Sequence, residues 1–69
     1  MTLIKIKTIN STIRYMNVDN IASFDYAEKA DTTCITLKTG SAIYTHGDVT
    51  AKLAKAIVTS TDGTIIHLE

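Results

Sequence analysis

Cys34, His46 and His67 are the thiol- and imidazole-bearing residues of the chain, and they pose the first chemical question. A structural zinc site needs four ligands, usually arranged as close-spaced pairs. Here none of the three lies within ten residues of another, so the spacing spells no metal centre. Read as a cysteine–histidine nucleophile pair, Cys34 falls mid-strand between Thr33 and Ile35, where a thiol serves as a small apolar filler. A reactive thiolate wants an electropositive, partly open pocket instead.

The carboxylates Asp19, Asp25, Glu28 and Asp31 invite an acid–base reading. Such pairs need a cleft that drives their pKa values apart, and a thin sheet built from 69 residues leaves little hollow for one. His46 precedes Gly47-Asp48 at the entrance to a helix, a position from which an imidazole could cap or meet an anion. The plainer expectation is a partly exposed residue at a strand end. Gly40, Gly47 and Gly63 are isolated, so no phosphate-cradling loop is present in the sequence. The expectation is a non-enzymatic protein with no catalytic residue, metal or cofactor.

Binding chemistry is better represented. Lys5, Lys7 and Arg14 occur in the first eighteen residues with no acid among them, and Tyr15 lies beside Arg14. Lys5 and Lys7 share a strand face, and Tyr15 could stack on a base if it points the same way. Three cations are a small electrostatic footprint for nucleic acid, and lysines on a strand also discourage edge pairing. Nucleic-acid binding through Lys5, Lys7, Arg14 and Tyr15 is therefore the alternative reading. Residues 19–31, by contrast, carry four acids against Lys29 alone. Charges segregated in this way can steer self-association, unless the two segments are neighbours and pair within the fold.

The elements that must position these residues are legible from periodicity. Thr2–Ile9 alternates as a half-buried strand, Asn10-Ser11-Thr12 is a turn, and Ile13–Val18 is a second strand completing a hairpin. Asn17, Asp19 and Asn20 mark a corner, because Asn and Asp bond their own following backbone. Strands then run over Ile21–Ala27, Thr32–Lys38 and Ala42–Thr45, with a hairpin turn at Thr39-Gly40-Ser41. From Val49 the apolar residues fall at 49, 53, 56 and 57, the stripe of a surface helix over 48–58. Asp48, or a capping box from Thr45 to Asp48, opens that helix. Asp62-Gly63 then turns into a last strand, Thr64–Leu68; a hairpin pairing Ile57–Thr61 with Thr64–Leu68 is the competing arrangement.

The order Thr8-Ile9-Asn10, Met16-Asn17-x-Asp19-x-Ile21, Thr33-Cys34-Ile35-Thr36-Leu37-x-x-Gly40 and a helix from about Val49 resembles the small flagellar swarming-motility family. The likeness covers about residues 3–57, and it implies a strand-rich fold with a C-terminal helix. It departs at Asn10-Ser11-Thr12, where an Asn-Gly turn is expected, and after Ile57. The same turn grammar is similar to short phage and bacterial proteins of unknown role, and to parts of response-regulator DNA-binding domains.

Length and composition bound the rest. Residues 1–69 make one domain, burying only about 60% of the surface the unfolded chain exposes. One cysteine and a formal net charge of zero give no internal disulfide and no global attraction to polyanions. The lone thiol fits a reducing, cytoplasmic compartment; no leader pattern and no run of roughly 20 apolar residues appear, so no membrane is expected. Leu68-Glu69 reads as an expression-tag remnant. The expected fold is α+β: a small antiparallel, strongly twisted or half-barrel sheet of about five strands, one C-terminal helix and a final strand. Its core is expected from Ile4, Ile6, Phe24, Ile35, Leu37, Ile43, Val49, Leu53, Ile57 and Ile66. The expected function is a protein-binding or adaptor module of bacterial or phage type, acting as a homodimer with an unidentified protein partner.

Overall fold

The computed structural model describes residues 2–58 and 65–68. Among them are strands β1 (Leu3–Lys7), β2 (Ile13–Asn17), β3 (Ile21–Ala27), β4 (Thr32–Leu37) and β5 (Ala42–His46), helix α1 (Thr50–Val58) and strand β6 (Ile65–His67). The mixed α+β class stands, but the sheet differs from the expected one. The strands form two open three-stranded sheets, β2-β1-β6 (sheet A) and β3-β4-β5 (sheet B). Sheet A is not wholly antiparallel, since β6 runs parallel to β1. A parallel neighbour needs a crossover connection, and α1 lies on that path. The competing hairpin is not formed: Ile57 and Val58 are helical and β6 pairs with β1. Residues 59–61 and 64 of that hairpin, and the Asp62-Gly63 turn, lie outside the described residues.

The two sheets split at a corner. Asn17, Asp19 and Asn20 do punctuate the chain: Val18–Asn20 is a short 3-10 turn, and the Asp19 amide donates to Asn17 Oδ1 at 3.0 Å. Across the opposite side the sheets are tied by two bonds, Ile9 amide to Tyr44 carbonyl at 3.0 Å and Thr45 hydroxyl to Lys7 carbonyl at 2.7 Å.

Two hairpins are closed by the same turn. Thr8 and Leu37 amides donate to Thr12 and Ser41 carbonyls, while Ser11 and Gly40 amides donate back to Thr8 and Leu37 carbonyls. The last loop residue takes a positive φ in both, 64° at Ser11 and 95° at Gly40. This is the three-residue hairpin whose final position favours glycine. The turn takes up Thr8 and Ile9, so β1 ends at Lys7 rather than Ile9.

A single core fills the space between the sheets and the helix. Ile4 and Ile6 from sheet A, Ile35 and Ile43 from sheet B, and Val49, Leu53 and Ala56 around α1 are all buried, with Phe24, Leu37 and Ile66 packed half-buried against them. Ile57 does not belong there: it is 42% exposed, and Ala56 occupies the helix's inward position at 1%. The inward stripe is thus 49, 53, 56, because the sheets meet only a narrow band of so short a helix. Met16, Val18 and Leu68 join the core beyond the expected set, and the Leu68 amide donates to the Lys5 carbonyl at 3.0 Å.

The helix starts at Thr50 rather than 48. The Asp48 carboxylate accepts from the Thr50 amide at 3.0 Å and the Thr50 hydroxyl at 2.5 Å. The capping box from Thr45 is not made, because the Thr45 hydroxyl is spent on Lys7. No helix among the described residues is long and apolar enough to cross a membrane.

Candidate functional site

The alternation of β1 decides what sheet A shows to solvent. Ile4 and Ile6 are drawn inward, so Leu3, Lys5 and Lys7 line the outer face. Antiparallel pairing sets Asn17, Tyr15 and Ile13 of β2 opposite Leu3, Lys5 and Lys7 in turn. Parallel pairing adds Ile65 beside Leu3 and His67 beside Lys5. Directly paired residues of adjacent strands share a face. One face therefore carries a rung of Tyr15, Lys5 and His67, flanked by Ile13 and Lys7 on one side and Leu3 and Ile65 on the other.

Three of these side chains are large, apolar and open to solvent: Tyr15 at 55%, Ile65 at 49% and Ile13 at 45%. Of the basic cluster expected from sequence, Lys5, Lys7 and Tyr15 come together here. Arg14 does not: it pairs with Ile6 on the inner side of the sheet and lines a shallow hollow of about 200 Å³ with Tyr44 and Ala42. Ile65 and His67 are members that sequence reasoning missed. The alternation around Ile66 marked both as outward, but nothing local tells that their strand docks beside β1.

The residues considered for metal or nucleophilic chemistry are dispersed. Cys34 is half-buried on the outer face of sheet B, flanked by Asp25 and Tyr44. His46 pairs with Thr32 on that sheet, whereas His67 lies on sheet A. No group of three or more His, Cys, Asp or Glu residues among those described could hold a metal ion.

The carboxylates are also divided. Asp19 sits in the corner, and Asp25 and Glu28 are exposed. Asp31 accepts from the Tyr26 hydroxyl at 2.5 Å. That bond, with the charge of Asp31 behind it, raises the Tyr26 pKa above its usual 10.0.

An open hollow of about 420 Å³ lies between the β1–β2 turn, the end of β5 and the start of α1. It is larger than a thin sheet leads one to expect. Lys7, His46, Asp48 and Lys52 are on its walls, with Thr45 and Leu68. Asp48, however, is the helix cap, and the Thr50 hydroxyl and amide hold its pKa below 3.8. A carboxylate so stabilised is a weak base near neutrality. The Thr45 hydroxyl is likewise committed to Lys7. The polar groups of the hollow that make hydrogen bonds hold backbone in place.

No protein-family model, no curated protein and no solved structure matches the chain.

Proposed function

We propose that this protein is a non-enzymatic binding module that works through the outer face of sheet A, engaging protein surfaces by self-association. The observation that carries the reading is the grouping of Ile13, Tyr15 and Ile65, each more than two-fifths exposed, around Lys5 and Lys7 on one three-stranded face. Exposed apolar groups rimmed by charge are what a protein contact buries. A bacterial or phage origin and a cytoplasmic location belong to the same proposal. Sedimentation at low and high concentration tests it: the native chain gains mass with concentration, and Ile13→Ser/Ile65→Ser does not. Equal association by both would overturn the reading.

A second reading is favoured by one detail. Tyr15 pairs directly with Lys5, an aromatic beside a cation as single-stranded nucleic acid requires. In that case Lys5, Lys7 and Tyr15 make the contact without Arg14. Titration with mixed DNA and RNA would then show binding that falls steeply with salt and weakens on Lys5→Glu. Salt-independent or absent binding excludes it.

A further inference from the structure

We infer that the occupant of the sheet A face is the β3 side of sheet B in a second copy of this chain, so that copies associate head to tail. The inference rests on the proposed self-association and names its geometry. Strand β3 is an edge strand of sheet B, and the acids of residues 19–31 are strung along it. Asp19 stands at the corner before β3, Asp25 points outward beside Cys34, and Glu28 follows its last residue. All three are exposed. Lys29 is the single cation in that segment.

The basic and acidic segments are not cross-strand neighbours, since β1 and β2 belong to one sheet and β3 to the other. The complementarity is therefore available between molecules. Side-chain size runs the same way. The sheet A face offers Ile13, Tyr15, Ile65 and two lysines. Next to Asp25, sheet B offers small residues: Ala27 beside Thr32, and Ser23 beside Thr36. A two-fold contact of the sheet A face with itself would instead set Lys5 and Lys7 against their own copies, an unfavourable juxtaposition.

A head-to-tail contact leaves one face of each kind unused, so association extends beyond a pair unless it closes into a ring. Three strands spaced about 4.8 Å apart, with a rise of about 3.4 Å per residue, span a small footprint. It falls well short of the roughly 800 Å² per partner of a stable interface, so the contact is weak and shows itself at high concentration.

Charge reversal tests the inference. Lys5→Glu/Lys7→Glu and Asp25→Lys/Glu28→Lys are examined by sedimentation separately and as an equimolar mixture, with thermal melts to confirm folding. Lys7→Glu and Asp25→Lys, at exposed positions, serve as milder variants. Each double variant alone is expected to stay at monomer mass at concentrations where the native chain gains mass, and the mixture to regain it. Native-like association of Asp25→Lys/Glu28→Lys, or a mixture that stays monomeric, would overturn the head-to-tail geometry while leaving the sheet A face as the binding surface. A native chain that stays monomeric throughout would overturn both.

Discussion

The Thr33 hydroxyl accepts a hydrogen bond from the Val49 amide at 3.1 Å and donates one to the Gly47 carbonyl at 2.6 Å. Thr33 is fully buried on the central strand of sheet B, while Gly47 and Val49 bracket the entry to α1. One side chain thus clamps the segment between β5 and the helix, and satisfies two backbone groups that neither element's ladder reaches.

Thr33→Val keeps the shape and deletes both bonds, leaving a buried amide and carbonyl without that partner. A loss of about 1–3 kcal/mol is expected, a fall in Tm of roughly 4–8 °C per kcal/mol for a domain of this size. Thr33→Ser should keep most of the lost stability. A thermal melt in which Thr33→Val matches the native chain would show that the clamp contributes nothing.

The two equivalent turns allow an internal comparison. Ser11 holds the left-handed position that Gly40 fills in the other hairpin, and a side chain there costs about 1 kcal/mol. Ser11→Gly should stabilise by up to that amount, offset in part by the greater freedom of glycine in the unfolded chain. Gly40→Ala should destabilise by a similar amount, although nothing crowds the added methyl. Urea midpoints for the two variants are expected to move in opposite directions.

Leu53 is the helix's fully buried anchor, and Leu53→Ala should cost about 2–5 kcal/mol. Native domains are stable by only about 5–15 kcal/mol in total, so partial unfolding at room temperature is the expected outcome. Ile57→Ala, one turn on and exposed, should stay within about 0.5 kcal/mol. Comparable losses at both positions would place the inward stripe at 57 instead of 56.

Asp48 has its folded-state pKa lowered, so its contribution is present above the ordinary carboxylate value of 3.8 and is lost as pH falls through the depressed one. Asp48→Ala should therefore be less stable than the native chain at neutral pH, with the gap closing in strong acid. Tyr26 runs the other way. Its raised pKa makes the bond to Asp31 favourable below 10.0, and that contribution fades as alkali ionises the folded phenol. Denaturant titrations of Asp48→Ala and Tyr26→Phe across pH separate the two effects.

Much of this fold is legible in local pattern. Alternation places Ile4 and Ile6 inside with Lys5 and Lys7 outside, and the Asn17-x-Asp19-Asn20 cluster announces the corner. The shift of period near Val49 announces the helix. What stayed hidden was partnership at long range. No local signal says that Ile65–His67 joins β1 in parallel, and hence that Ile65 and His67 stand beside Leu3 and Lys5. Arg14 parts from Lys5, Lys7 and Tyr15 because position 14 pairs with Ile6, which charge alone does not reveal. The helix pattern allows either 56 or 57 inward, and the tertiary surface selects Ala56 over Ile57.

The parallel union of β1 with β6 also bears on the order in which the molecule assembles. Sheet B and the β1–β2 hairpin need only neighbouring segments to meet, whereas Leu3 must find Ile65 across nearly the whole described chain. Long closures of that kind are entropically slow to make. Nucleation would begin in the local hairpins, and the third strand of sheet A would zip on last. Until it does, the edge of β1 stays unpaired and sticky, so the interval before closure is when the nascent protein is most exposed to aggregation.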